Sequence, residues 1–85
     1  MAEIDIYGTM SCSYCVRARE LLDRKGVDYR WINVANDAAL YNKMIQLSGG
    51  ETVPQILING QPIGGCDEMH ALEHQGQLNA LLGLS

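Results

Sequence analysis

Cys12 and Cys15, in the run Cys12-Ser13-Tyr14-Cys15, are the residues of this chain whose type and spacing best suit chemistry. They follow a short apolar run, Ile4-Asp5-Ile6-Tyr7, and precede a helical pattern from Val16 to Lys25. The pair therefore falls at the seam between a strand and a helix. A helix N-terminus offers unpaired backbone N–H groups and a partial positive charge, which stabilise a thiolate over a thiol. With Cys12 just outside the first turn and Cys15 within it, the first sulfur is exposed and the second lies beneath. The expected chemistry is thiol–disulfide exchange, with Cys12 as nucleophile and Cys15 as resolving thiol. Nucleophilicity falls as a thiol becomes more acidic, so the site needs an accessible sulfur of moderate acidity.

The same cysteines admit a metal reading. Cys12 and Cys15 with Cys66 and His70, the last two spaced i and i+4 on one helix, would supply three thiolates and an imidazole to zinc. The strand–Cys-x-x-Cys–helix context favours the redox reading, and the zinc reading leaves Val53-Pro54 without a role.

The chain as a whole narrows the field. Its 85 residues predict one domain over 1–85, and its 47% hydrophobic content, with no Phe and one Trp, predicts an aliphatic core. Six basic against ten acidic residues give a formal charge of −4 without a Lys/Arg cluster, which argues against a nucleic-acid partner. Met1-Ala2-Glu3 leads directly into a strand, and no apolar run approaches the roughly 20 residues of a membrane span. Three cysteines are an odd count, too few for a secreted disulfide framework. These points predict a cytoplasmic protein with no membrane partner.

Elements that position the cysteines follow from periodicity. A strand is predicted over 3–7 and a loop over 8–11. In the helix that follows, Cys15, Ala18, Leu21 and Leu22 face inward, Arg17, Arg19 and Glu20 face solvent, and Gly26 closes the end. Val27 to Val34 reads as a second strand carrying Tyr29, Trp31 and Ile32. Asn36-Asp37 caps a second helix over 38–47 with Leu40, Met44 and Leu47 as its apolar stripe. Gln55-Ile56-Leu57-Ile58 and Gln61-Pro62-Ile63 flank Asn59-Gly60, a strong hairpin signal, and Pro62 assigns the last strand to an edge. Asp67 is expected to cap a helix through Gln75, and Leu78, Leu81 and Leu82 mark a final short helix. Met44 and Met69 are expected in the core, Met10 at the site's edge, Tyr7 near the site, Trp31 in packing, and His70 and His74 at the surface. The order is βαβαββα plus a C-terminal helix, an α/β fold with a four-stranded mixed sheet flanked by helices.

Three motifs in this order and spacing, Cys12-Ser13-Tyr14-Cys15, Thr52-Val53-Pro54 and Gly64-Gly65-Cys66-Asp67, resemble the glutaredoxin family of the thioredoxin-like fold over nearly the whole chain. The resemblance implies a dithiol enzyme with glutathione as co-substrate, acting on glutathionylated or disulfide-containing proteins. It implies a cis peptide before Pro54, with Val53 pairing to the cysteinyl unit of glutathione. Gly65, Cys66 and Asp67 would receive its γ-glutamyl end, and Tyr14 and Thr52 would flank it. N–H groups at a helix start suit the carboxylate of that end, and the Asp67 side chain suits its ammonium. A monomer is implied. The minority of the family with a non-proline motif also implies a dimer holding a [2Fe–2S] cluster through Cys12 and glutathione.

Departures from the pattern are specific. Ser13 stands where proline is usual, which restores an N–H at the first turn. Thr9 and the Gly50-Glu51 pair stand where basic residues usually meet the glycyl carboxylate of glutathione. The expected consequence is weaker electrostatic capture at that end.

Overall fold

Four strands and four helices lie along residues 2–84, the part of the chain that the structure, a computed structural model, describes. β1 (Ile4–Gly8) lies inside the sheet, parallel to β2 (Arg30–Asn33) on one side and antiparallel to β3 (Gln55–Ile58) on the other. β3 pairs antiparallel with β4 (Gln61–Gly64), giving the order β2-β1-β3-β4. The four-stranded mixed sheet and the edge position of Pro62 agree with the sequence. Asn59 and Gly60 take φ of 53° and 78° and turn the chain between β3 and β4, as an Asn-Gly hairpin requires.

Successive side chains of a strand point to opposite faces, and β1 and β3 use both. Ile4, Ile6, Ile56 and Ile58 face α1 (Ser13–Arg24), α3 (Cys66–His74) and α4 (Leu78–Leu81), where Ala18, Leu21, Leu22, Met69, Leu78 and Leu82 complete the larger core. Tyr7 and Leu57 face the other way, onto Val34 and onto Met44 of α2 (Ala38–Ser48). A sheet covered on both faces explains why the Ile-Leu-Ile run of β3 is apolar throughout.

Element boundaries differ from the sequence reading for local reasons. α1 begins at Ser13 rather than Val16, because the Cys12 side chain caps it. At its other end the Val27 N–H reaches Leu22 O (3.4 Å) and the Gly26 N–H reaches Asp23 O (3.1 Å), with Gly26 at φ 70°. That is a Schellman closure, and it commits the Val27 backbone to the helix end, so β2 starts only at Arg30. Asp37 does cap α2, accepting from the Leu40 N–H at 3.0 Å. Its inward face, however, is Leu40, Tyr41, Met44 and Ile45. Leu47 lies about a quarter turn off that centre and is 45% exposed, which corrects the expected stripe. α3 is capped by Gly65, not Asp67, which lies inside the first turn. Arg19 also departs from the solvated face, since its guanidinium stacks 4.4 Å over the Trp31 ring. Among the described residues no helix is long and apolar enough to cross a membrane.

Leu22 is fully buried in the larger core. Leu22→Ala is expected to lower the unfolding free energy by about 2–5 kcal/mol, read as a lower urea midpoint with an unchanged slope.

Candidate active site

Cys12 takes extended backbone angles (φ −87°, ψ 116°) and closes the start of α1 with its own sulfur. The Cys15 N–H donates to Cys12 Sγ at 3.3 Å, and the Val16 N–H donates to Cys12 O at 3.1 Å. A sulfur in the capping position satisfies one of the helix's orphan donors and receives the positive end of its dipole. Across the site Cys12 Sγ lies 3.8 Å from Val53 O. The Val53–Pro54 peptide is cis, as the resemblance implies.

Cys15 sits one turn in and is fully buried. Burial, reinforced by the hydrogen bond with Cys12, pushes its thiol up from the ordinary 9.0 to about 12. The two sulfurs thus differ in kind: Cys12 is half-buried and accessible, whereas Cys15 is enclosed and held as a thiol. Gly8 allows this enclosure. A Cβ there would lie 2.6 Å from Cys15 Sγ and 2.8 Å from the Trp31 ring, so only glycine lets β1, α1 and β2 meet at this point. All three cysteines are free thiols.

A groove of about 450 Å³ runs beside Cys12. Tyr14 of α1 forms one wall, Thr52, Val53, Pro54 and Gln55 form the floor leading into β3, and Gly64, Gly65, Cys66, Asp67 and Glu68 form the far wall at the start of α3. Every residue named from the sequence for the glutathione end of the site is therefore in one groove, with Cys12 at its edge. Tyr14 is half exposed, and the Arg17 guanidinium lies 5.9 Å from its ring centre, within cation–π range. Cys66 is buried, and its thiol is raised by that burial, partly offset by Arg17. Tyr7 packs with Val53 on the α2 side of the sheet, and Met10 is exposed with Arg19 Nη1 3.8 Å from its sulfur.

Two groove residues escaped the sequence reading. Gln55 is buried and donates from Nε2 to Thr52 O at 2.9 Å, bracing the segment that carries Val53. Glu68 accepts the Gly65 N–H at 2.7 Å, and the signal for it was the three-residue spacing of a helix-capping acid. The zinc reading does not hold. Among the described residues no three His, Cys, Asp or Glu side chains gather to hold a metal. His70 is half-buried rather than a surface residue, and its Nε2 is buried without a hydrogen-bond partner.

Comparison with known proteins decides the family. The glutaredoxin profile matches residues 4–63. The chain belongs to the glutaredoxin family. Over 82 residues it is 46% identical to glutaredoxin 3 of Escherichia coli, covering 96% of this chain and 99% of that one. It is 46% identical over 82 residues to a glutaredoxin of Pseudomonas aeruginosa, covering 96% and 98%. Among solved structures, the buckwheat glutaredoxin–glutathione complex superposes with a TM-score of 0.87 at 29% identity, covering 96% of this chain and 77% of that one. A Brucella melitensis glutaredoxin in solution gives 0.84 at 41% identity, covering 96% and 89%. The fold is thioredoxin-like, and membership of the family carries thiol–disulfide oxidoreductase chemistry as the class of activity.

A raised thiol binds its proton more tightly in the folded chain than in the unfolded one. From about pH 9 the unfolded chain ionises Cys15 while the folded chain does not until about pH 12, so stability falls as pH rises through that window. Urea unfolding across this range is expected to give a steeper alkaline loss for the native protein than for Cys15→Ser.

Proposed function

We propose that this glutaredoxin is a glutathione-dependent reductase of protein–glutathione mixed disulfides and protein disulfides, with Cys12 as the attacking sulfur. The observation that carries the reading is the position of Cys12 Sγ, capping α1 through the Cys15 N–H and facing Val53 O at the edge of the groove. A substrate lying extended along Val53 would bring its sulfur to Cys12. Its carboxylate would meet the free N–H groups of Cys66 and Asp67 at the start of α3, beside Gly65, with Tyr14 and Thr52 on either side. The glutathione in the buckwheat complex, a protein of the same fold, supports glutathione as the co-substrate.

The reaction proceeds in two exchanges. Cys12 thiolate attacks the glutathione sulfur of the mixed disulfide, a Cys12–S bond forms as the S–S bond breaks, and the protein thiolate leaves and takes a proton from water. A second glutathione thiolate attacks the Cys12 adduct, restoring Cys12 and leaving as glutathione disulfide. In the net exchange the protein sulfur falls from the disulfide to the thiol level, the incoming glutathione sulfur rises from the thiol to the disulfide level, and the substrate's own glutathione sulfur stays at the disulfide level throughout. With a protein disulfide as substrate, Cys15 attacks the Cys12–substrate bond and closes a Cys12–Cys15 disulfide. Burial of Cys15 suits that role, because it has to act only after Cys12 is loaded. Its proton must leave for it to attack, and breaking the hydrogen bond to Cys12 on adduct formation removes one cause of its raised pKa.

Three cysteines, an odd number and too few for a disulfide framework, fit a reducing compartment such as the cytoplasm. The [2Fe–2S] reading fits this chain less well. Such a cluster needs four sulfur ligands, which in the dimer reading would be one Cys12 from each chain and the sulfurs of two glutathiones, so it requires a second chain and bound glutathione that the thiol-exchange reading does not. No step is assigned to a cluster.

Steady-state reduction of a glutathionylated peptide separates the roles. Cys12→Ser is expected to abolish turnover, and Cys15→Ser to retain it while losing reduction of a protein disulfide. Activity surviving in Cys12→Ser would refute the assignment.

A further inference from the structure

The groove beside Cys12 is electrostatically one-sided. Its lining includes the carboxylates of Asp67 and Glu68 and no Lys or Arg. At the α3 end the Gly65 N–H is already taken by Glu68 Oε1 at 2.7 Å, which leaves the N–H groups of Cys66 and Asp67 for an anion. Arg17 belongs to this same end, since it stands over Tyr14 and offsets the burial of Cys66.

The opposite end is different. The start of α3 abuts Pro54, for a Cβ on Gly65 would lie 3.1 Å from Pro54 O. From Pro54 back through Val53 and Thr52 the chain leads away from α3 to Glu51. That residue is exposed, and its carbonyl is pinned by the Tyr41 hydroxyl at 2.6 Å. Beside it Gly50 carries no side chain, and a Cβ there would lie 2.5 Å from the Gln55 amide and so displace the group that braces Thr52 O. The chain just beyond Thr52 at this end of the groove thus carries an acid, and the neighbouring position, Gly50, carries no base.

An extended tripeptide spans about 10 Å at roughly 3.3 Å per residue. With its sulfur at Cys12 and one terminus at α3, its other terminus passes Thr52 toward Glu51. Glutathione has a carboxylate at each end. One would meet N–H groups, and the other would run out past Thr52 toward Glu51, which adjoins the groove's lining in the chain without being part of it.

We propose that this centre selects γ-glutamylcysteinyl thiols whose carboxyl end is amidated, and best those whose amide carries an amine, over the free acid. This rests on the oxidoreductase reading given under Proposed function and names its small-thiol substrate. The exchange keeps the same balance: Cys12 bonds to the small-thiol sulfur, the peptide thiolate leaves and is protonated, and a second small thiol restores Cys12 and departs as the oxidised disulfide.

One cysteinyl peptide, converted to its mixed disulfides with glutathione, glutathione amide and the putrescine amide of glutathione, tests this, each assayed with its own thiol as reductant. The expected kcat/KM rises in that order by about three- to ten-fold overall, the size of one or two exposed charge contacts, and the spread shrinks with added salt. Glu51→Gln flattens the order and Glu51→Lys reverses it in favour of the free acid. Equal rates, preference for the free acid in the native protein, or an order unchanged in Glu51→Lys would overturn the proposal. No turnover of any of the three would overturn the oxidoreductase reading itself, and this one with it.

Discussion

The hydrogen bond from the Cys15 N–H to Cys12 Sγ is the contact on which the site depends. It makes the proposed nucleophile, Cys12, a structural part of α1, because the sulfur that caps the helix is also the sulfur turned toward Val53. Replacing a capping side chain costs a helix about 1 kcal/mol, so the chain gains local stability from the residue it exposes to substrate. The Cys15 side chain also interacts with Cys12, separately from this backbone bond. Cys15 is raised in part because it sits against Cys12, and forming an adduct on Cys12 alters that contact.

Around this bond the fold supplies three supports from distant parts of the sequence. β1 ends at Gly8, where the absence of a side chain lets Cys15 and the Trp31 ring close in. Trp31 is in turn held by Arg19 of α1, so strand and helix are clamped together directly beneath the cysteines. β3 begins after Val53 and Pro54 and is braced by the Gln55 amide on Thr52 O. The hairpin at Asn59-Gly60 then returns the chain so that Gly65 and α3 face Tyr14 across the groove. The sheet order puts β1 between β2 and β3, and this brings the loop after β1 and the turn before β3 to the same place.

Much of this was legible in the sequence because its signals are local. Cys-x-x-Cys after a strand, Asn-Gly between apolar runs and Pro62 in a short strand each carry their own backbone requirement. The three-motif resemblance added the convergence of residues 12, 53 and 66, which no periodicity contains. What the sequence did not reveal depends on long-range packing. Arg19 reads as a solvated helix residue until Trp31, twelve positions away, is placed beneath it. Leu47 fits a helical stripe, but Tyr41 and Ile45 turn the buried face away from it. Val27 has strand propensity, yet its N–H is used to close α1. Gln55 opens an apolar strand as an apparent exception, and its partner Thr52 O becomes visible only once the turn is formed.

In the proposed chemistry one sulfur takes the small thiol and a second, enclosed sulfur resolves it. Time-resolved mass mapping of the reduced protein mixed with glutathione disulfide, quenched with acid at short intervals, tests this most directly. Glutathione is expected first on Cys12, followed by its loss as a Cys12–Cys15 disulfide forms, with Cys66 unmodified throughout. A first adduct on Cys15 or Cys66, or a Cys12–Cys15 disulfide formed with no preceding adduct on Cys12, would contradict it.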